Sequence, residues 1–265
     1  MRIFLYVLLC LSLASCGADS EPEESTAAVS EEPAPPLRLT DYTYADSTAL
    51  RSGGPYFTFE LQTLRAIDGP AALRDTVNTV VDEKILGYQP GPIVPFDTAL
   101  IRHLATAFAD YRNQPVDEGL LEESEVPYTQ EEIHRVEEVY RNDRLLVLSH
   151  LVYVYTGGAH GMTRTDLLPF RVNPARQLTY DDLFRPGADA PLSDLLTRLA
   201  HREMPERVYV DTVPVTSNLA PLPGGMRFLY DPYAIGPYAS GNIALDVPYD
   251  SLRPWLTEEA LALIP

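Results

Sequence analysis

Residues Leu145 to Thr156 restrict the fold more than any other stretch. They read Leu-Leu-Val-Leu-Ser-His-Leu-Val-Tyr-Val-Tyr-Thr, with apolar side chains at odd and even positions alike. Successive side chains of a strand point to opposite faces, so this run needs cover on both sides and is expected at the centre of a sheet. Asn142-Asp143, a hairpin turn signal, joins it to a preceding strand over 133–141.

Other segments show their period as plainly. Tyr56 to Gln62 alternates, with Phe57, Phe59 and Leu61 on one face of a half-buried strand. Gly69-Pro70 opens a helix with Pro70 at its first position and Leu73, Val77, Val80, Val81 and Ile85 as its apolar stripe. Beyond Gln89-Pro90-Gly91-Pro92, Asp97 is expected to cap a second helix with Leu100, Ile101, Leu104, Phe108 and Tyr111 inward. Residues 115–132 are acidic and broken by Pro115, Gly119 and Pro127, which suits a loop with a short helix. Thr165 to Val172 gives a strand that turns at Asn173-Pro174. Pro191 starts a helix with Leu192, Leu195, Leu196 and Leu199 inward. Arg227 to Tyr230 and Ile243 to Val247 are the last strands, and Asp250 and Thr257 are expected to cap short terminal helices. Neighbouring strands are joined by tight turns, while helices fall in separate blocks. That pattern predicts an α+β fold, an antiparallel sheet with helices packed on it.

The first sixteen residues concern address, not fold. Met1-Arg2 is followed by an apolar run from Ile3 to Leu13, broken only by Ser12, then by Leu13-Ala14-Ser15-Cys16. A charged start and a short apolar stretch mark a secretory signal, and the run is far below the roughly 20 residues that span a membrane. Its end resembles the lipobox of bacterial lipoproteins, which implies cleavage after residue 15 and lipid attachment at the Cys16 thiol. Each buried methylene of such a chain contributes about 0.8 kcal/mol, and two or more chains make the anchoring stable. The only cysteines are Cys10 and Cys16. The mature domain is thus left without a thiol for a disulfide, a metal or nucleophilic catalysis.

Residues 16–37, rich in Pro, Glu, Ser and Ala, have little to bury and read as a disordered acidic tether. Asp19, Glu21, Glu23 and Glu24 resemble acidic surface-export signals, and a plain solvated linker explains them equally well. The expected location is the cell envelope, lipid-anchored to a membrane, the outer one on its periplasmic or surface face. The net charge of −18, with Lys84 the only lysine, argues against nucleic acid and favours a basic partner. Sixteen tyrosines supply rings that serve wet binding surfaces as well as cores.

Three segments carry a family resemblance: Tyr153-Val154-Tyr155-Thr156-Gly157-Gly158-Ala159-His160-Gly161; Phe170-Arg171-Val172 with Gln177 to Phe184; and Tyr233 to Gly241 with Ile243 to Tyr249 and Leu252. In this order the chain resembles the extracytoplasmic domain of the RsiV anti-sigma factors and the non-catalytic module of PdaC-type peptidoglycan deacetylases, over about residues 40–258. The resemblance implies two lobes joined near residues 157–164, a PdaC-module-like one over 38–163 and an RsiV C-terminal-like one over 164–265, beyond a signal peptide at 1–15. It also implies a binding role, since the RsiV domain binds lysozyme and so triggers proteolysis of that factor. No sigma-binding region, spanning helix or deacetylase domain is expected to accompany the module, so only binding is expected to carry over.

Candidate binding residues are Tyr155, Gly157, Gly158, His160, Tyr233 and Tyr238. A turn whose histidine satisfies a nearby carbonyl explains Gly157, Gly158 and His160 first, and a ligand loop second. Tyr233 and Tyr238, among Pro232, Pro237 and Gly241, read first as a packed corner and second as a binding surface. No catalytic residue, metal ligand or cofactor is assigned. His103, His134, His150, His160 and His201 have no metal-binding spacing, and neither a Gly-x-Ser-x-Gly elbow nor a phosphate loop occurs. Asp181-Asp182 sits in a Leu-Thr-x-Asp-Asp-Leu-Phe context that suggests a helix cap, and Glu122-Glu123 is weak evidence for glycosidase chemistry. The expected function is a lipid-anchored envelope binding module for a lysozyme-like protein or cell-wall glycan. The alternative is a cell-wall hydrolase or esterase whose site the sequence does not reveal.

Overall fold

A computed structural model describes residues 35–91 and 94–264. The signal, Cys16 and nearly all of the expected tether lie outside the described residues. The chain runs β1 (Arg38–Ala49), β2 (Tyr56–Asp68), α1 (Ala71–Leu86), α2 (Phe96–Arg112), α3 (Glu118–Glu123), β3 (Gln130–Arg141), β4 (Leu145–Tyr155), β5 (Met162–Arg171) and β6 (Arg176–Gln177). It continues through α4 (Tyr180–Leu183), α5 (Asp189–Glu203), β7 (Leu219–Leu222), β8 (Gly225–Tyr230), β9 (Ile243–Val247), α6 (Tyr249–Leu252) and α7 (Glu258–Leu263). The class is α+β. Strands β1 to β6 form one sheet in sequence order, and β7 to β9 form a smaller antiparallel one.

One pair in the larger sheet is not antiparallel: β2 and β3 run parallel. The chain between them holds α1 and α2, a crossover long enough to re-enter the sheet in the same direction. A tight turn cannot do this, so local turn signals did not announce it.

The first half of strand β4 is covered on both sides, as its composition requires, whereas from Leu151 on it is half-buried or, at Val154, exposed. Leu146 and Leu148 join a core with Phe57, Phe59 and Leu61 of β2, Val77 and Val81 of α1 and Leu104 of α2. Leu145 and Val147 join a second core with Leu192 and Leu196 of α5 and Phe228 and Leu245 of the small sheet. Burying a large aliphatic side chain contributes about 1.5–3 kcal/mol, so this one strand ties both cores together.

Several local expectations shift. Pro70 and Pro95 stand at the N-cap positions of α1 and α2, and Asp97 lies in the first turn of α2 rather than at its cap. Ile101 is 55% exposed, because Leu100, Leu104, Phe108 and Tyr111 already define the inward stripe. Pro248, not Asp250, precedes α6, whereas the Thr257 side chain does cap α7 by accepting from the Ala260 N–H. Thr179 and Asp182 form a reciprocal capping box at α4, which gives the Asp181-Asp182 pair its structural role.

Strand β5 borders β6 only at Phe170 and Arg171, so its earlier half needs other partners. The Asn218 side chain supplies them: Nδ2 donates to the Thr165 carbonyl (2.6 Å) and Oδ1 accepts from the Leu167 N–H (2.8 Å). One side-chain amide thereby takes the place of a neighbouring strand's peptide. Asn218→Ala leaves both backbone groups unpaired and is expected to destabilise the domain by about 2 kcal/mol, measured as a lower urea midpoint. A loss below about 0.5 kcal/mol would show that solvent already satisfies this edge.

Candidate functional site

The residues flanking β4 and those preceding β9 meet at one exposed corner. After Tyr155 the chain turns through Gly157 (φ 87°) and Gly158 (φ 103°), backbone angles that suit glycine. Gly157 packs so tightly on the Pro127 carbonyl that a Cβ would lie 2.5 Å from its oxygen, whereas Gly158 faces open space. The Tyr155 hydroxyl donates to the Gly158 carbonyl (2.9 Å) and closes the turn. Gly161, three residues beyond Gly158, lies directly under the Tyr153 ring, with no room for a side chain.

His160 and Tyr238 stack, with ring centroids 4.0 Å apart and planes 21° apart. Both bind the same carbonyl. The Tyr238 hydroxyl donates to Gly161 O (2.8 Å) and His160 Nδ1 donates to it as well (3.0 Å). A carbonyl only accepts, so His160 carries its proton on Nδ1, which leaves Nε2 of the neutral ring as a lone-pair acceptor. Tyr233 lies 5.7 Å from Tyr238, tilted by 32°. Its backbone has φ 70°, the only positive value on a non-glycine among the described residues, and the side chain is 50% exposed. A bulky residue in that region is strained by about 1–3 kcal/mol.

The surrounding chain holds the corner in place. The Tyr209 hydroxyl donates to the Tyr233 carbonyl (2.6 Å), and the Tyr209 N–H donates to Ile235 O (3.0 Å). Arg207 Nη2 donates to the carbonyls of Ser240 (2.6 Å) and Asn242 (3.2 Å). Burial, and then the nearby Glu131 carboxylate, push the Tyr153 phenol above its ordinary pKa.

All six sequence candidates therefore fall in one neighbourhood, although 155–160 and 233–238 are far apart in the chain. Tyr153 and Gly161 belong there too and were within the quoted motif. Tyr209 and Arg207 do not stand out in sequence, because nothing local marks a tyrosine that binds a carbonyl 24 residues away.

A second polar group is buried in the large sheet. Glu132 Oε1 accepts from His134 Nε2 (2.7 Å), and His134 Nδ1 lies 2.9 Å from His150 Nε2. With the Nε2–H of a neutral His134 donating to Glu132, His134 Nδ1 must accept, and His150 must donate from Nε2. His150 is fully buried and its Nδ1 has no hydrogen-bond partner. Burial, and then the neighbouring His134, lower its pKa to about 3. Among the described residues no group of three His, Cys, Asp or Glu side chains is arranged to hold a metal ion.

Fold and corner together define an α+β protein with two sheets and an exposed aromatic surface where β4, β5 and the segment before β9 converge. Residues 181–250 match the model of a family described as "Protein of unknown function (DUF3298)", a span that takes in Tyr233 and Tyr238 but not the 155–161 loop. No curated protein matches the sequence. Among solved structures, the chain is similar to a DUF3298 family member from Bacteroides fragilis, with TM-score 0.75 and 20% identity, covering 85% of this chain and 95% of that one. It is also similar to a DUF3298 family protein from Pseudomonas aeruginosa, with TM-score 0.61 and 18% identity, covering 85% and 97% respectively. At these identities the likeness shows a shared fold.

Proposed function

We propose that the chain is a cell-envelope lipoprotein whose folded domain is a non-catalytic binding module, with the aromatic corner as its binding surface. The observation that carries this reading is Tyr233, a half-exposed aromatic residue held at φ 70° by its surroundings. The Asp231–Ala234 turn, closed by the Ala234 N–H donating to Asp231 O (3.0 Å), takes a positive φ at Tyr233, a place glycine would fill without strain, and a tyrosine kept there suits a surface that needs a particular side chain in a particular place. No described helix is long and apolar enough to cross a membrane. In this reading lipid on Cys16 supplies the attachment, to the outer membrane on its periplasmic or surface face.

The geometry of the histidines supports binding over hydrolysis. His160 Nδ1 is bound to a backbone carbonyl and its ring is stacked on Tyr238, so no carboxylate orients it as a base. The imidazole that a carboxylate does orient, His134, is buried within the sheet. An esterase of the Ser-His-Asp kind would need the reverse arrangement.

The partners in this reading are a basic, lysozyme-like envelope protein or cell-wall glycan, with no nucleic acid, metal or cofactor. The net charge of −18 and the RsiV and PdaC resemblance support them. Calorimetric titration with lysozyme and with soluble muropeptides tests the proposal. Saturable heat with one of them, weakened in Tyr238→Ala, is expected; no binding to either at millimolar concentration would remove both. Labelling cells with radioactive palmitate tests the anchor, and an unlabelled Cys16→Ser variant is the control.

A further inference from the structure

The chemistry left exposed at the corner points to a class of ligand. Three of its tyrosine hydroxyls are tied inward: Tyr155 to Gly158 O, Tyr209 to Tyr233 O and Tyr238 to Gly161 O. Rings pinned by their own hydroxyls do not use those hydroxyls on a partner; they offer carbon surface at fixed angles. Tyr209 is 58% exposed and Tyr233 50%, so that surface is open to solvent. Two directional groups remain beside it, the hydroxyl of half-exposed Tyr233 and the lone pair on Nε2 of exposed His160.

Most nearby charges are already matched, the Glu131 carboxylate beside Tyr153 being the exception. Arg207 binds the carbonyls of Ser240 and Asn242. Asp166 lies against Lys84 and Arg164, and Asp231 accepts the Thr165 N–H. A strongly basic protein surface gains most from uncompensated carboxylates, which these residues do not provide. A pyranose suits the corner better. Its axial C–H bonds form a flat, slightly positive face that matches the negative face of an aromatic ring, and its hydroxyls can donate to an imidazole nitrogen.

We propose that the corner binds a saccharide chain, with a pyranose stacked on the Tyr233 and Tyr209 rings and a sugar hydroxyl donating to His160 Nε2. The proposal rests on the reading of this corner as the binding surface and narrows it to one ligand chemistry. The Tyr209 ring, pinned by its hydroxyl, loses little freedom on binding, so even an open surface of this size holds a chain weakly but usefully, and several anchored copies on one membrane add avidity.

Saturation-transfer NMR on the full chain, kept in a polyoxyethylene detergent that carries no sugar, tests this with a pentamer of β-1,4-linked N-acetylglucosamine and with soluble peptidoglycan strands. Transfer to pyranose ring protons is expected, with half-saturation at about 1 mM. Tyr233→Gly and Tyr209→Ala should weaken binding about fivefold or more with unchanged circular dichroism. Tyr233→Phe, which keeps the ring, should bind as the unaltered chain does. His160→Phe, which keeps the stack but lacks the acceptor, should bind more weakly. No transfer from either sugar at millimolar concentration would overturn the saccharide assignment. If lysozyme then still bound, and Tyr233→Gly abolished that binding, the corner would stand as a protein-binding surface; if neither class bound, the binding-module reading would fall with it.

Discussion

Between pH 6.5 and pH 3 the domain is expected to lose stability steeply, and the His134–His150 pair accounts for the loss. His150 is neutral in the folded state down to about pH 3, because burial and then His134 disfavour its charged form. In the unfolded chain it takes a proton near pH 6.5. Between these values the unfolded state binds the extra proton, so stability rises with pH there and falls as acid is added. Above pH 6.5 the contribution is fully present; near pH 3 it is gone. The gap corresponds to at most about 5 kcal/mol, a large fraction of the 5–15 kcal/mol that holds a typical domain together.

Other groups modify the curve without reversing it. Asp182 is raised by burial but lowered more by Arg176 and Thr179, so its stabilising effect is lost only below the ordinary carboxylate range. Asp82 and Asp231 are raised by burial and favour the folded state slightly in acid. Urea midpoints measured across this pH range should fall in the unaltered protein and flatten in the double variant His134→Leu, His150→Leu. Both residues are replaced because a lone His134 would leave its Nδ1 buried and unmatched. Parallel curves for the two proteins would mean that carboxylates, not this pair, govern acid sensitivity.

Gly157→Ala is expected to cost about 3 kcal/mol or more, and Gly158→Ala about 1–2 kcal/mol, although the two glycines are adjacent. Both have positive φ, so alanine is strained at either place. Only at 157 would the new Cβ also meet backbone, 2.5 Å from the Pro127 carbonyl oxygen, and backbone gives way at greater cost than a flexible side chain. Thermal unfolding of the two variants measures the difference. Equal losses would show that the Pro127 contact is not what positions the loop. Gly157 is thus a packing requirement of the loop.

Much of this was legible locally. Alternation placed Phe57, Phe59 and Leu61 on one buried face, and the same period placed β4 between two cores. The Thr179–Asp182 capping box was readable because both partners lie within one turn. Strand β1 was not. It is an edge strand whose residues are mostly exposed or half-buried, so its sequence lacks the apolar alternation that marks a covered face. The histidine pair was readable in principle. Register places Val136 opposite His150 and His134 opposite Val152, which makes the two histidines diagonal neighbours on one face.

Sequence by itself determined where chain segments must be covered, because burial on one face or two is recorded in the period of apolar residues along a strand or helix. It also placed glycine at the turn after β4, where backbone angles exclude other residues. Tertiary structure alone decided that β2 and β3 run parallel, that Asn218 completes the edge of β5, and that Tyr209, Tyr233, Tyr238 and His160 share one corner. Those contacts join residues 24 to 78 positions apart, and the pairing of distant side chains depends on how layers stack, which no local period encodes.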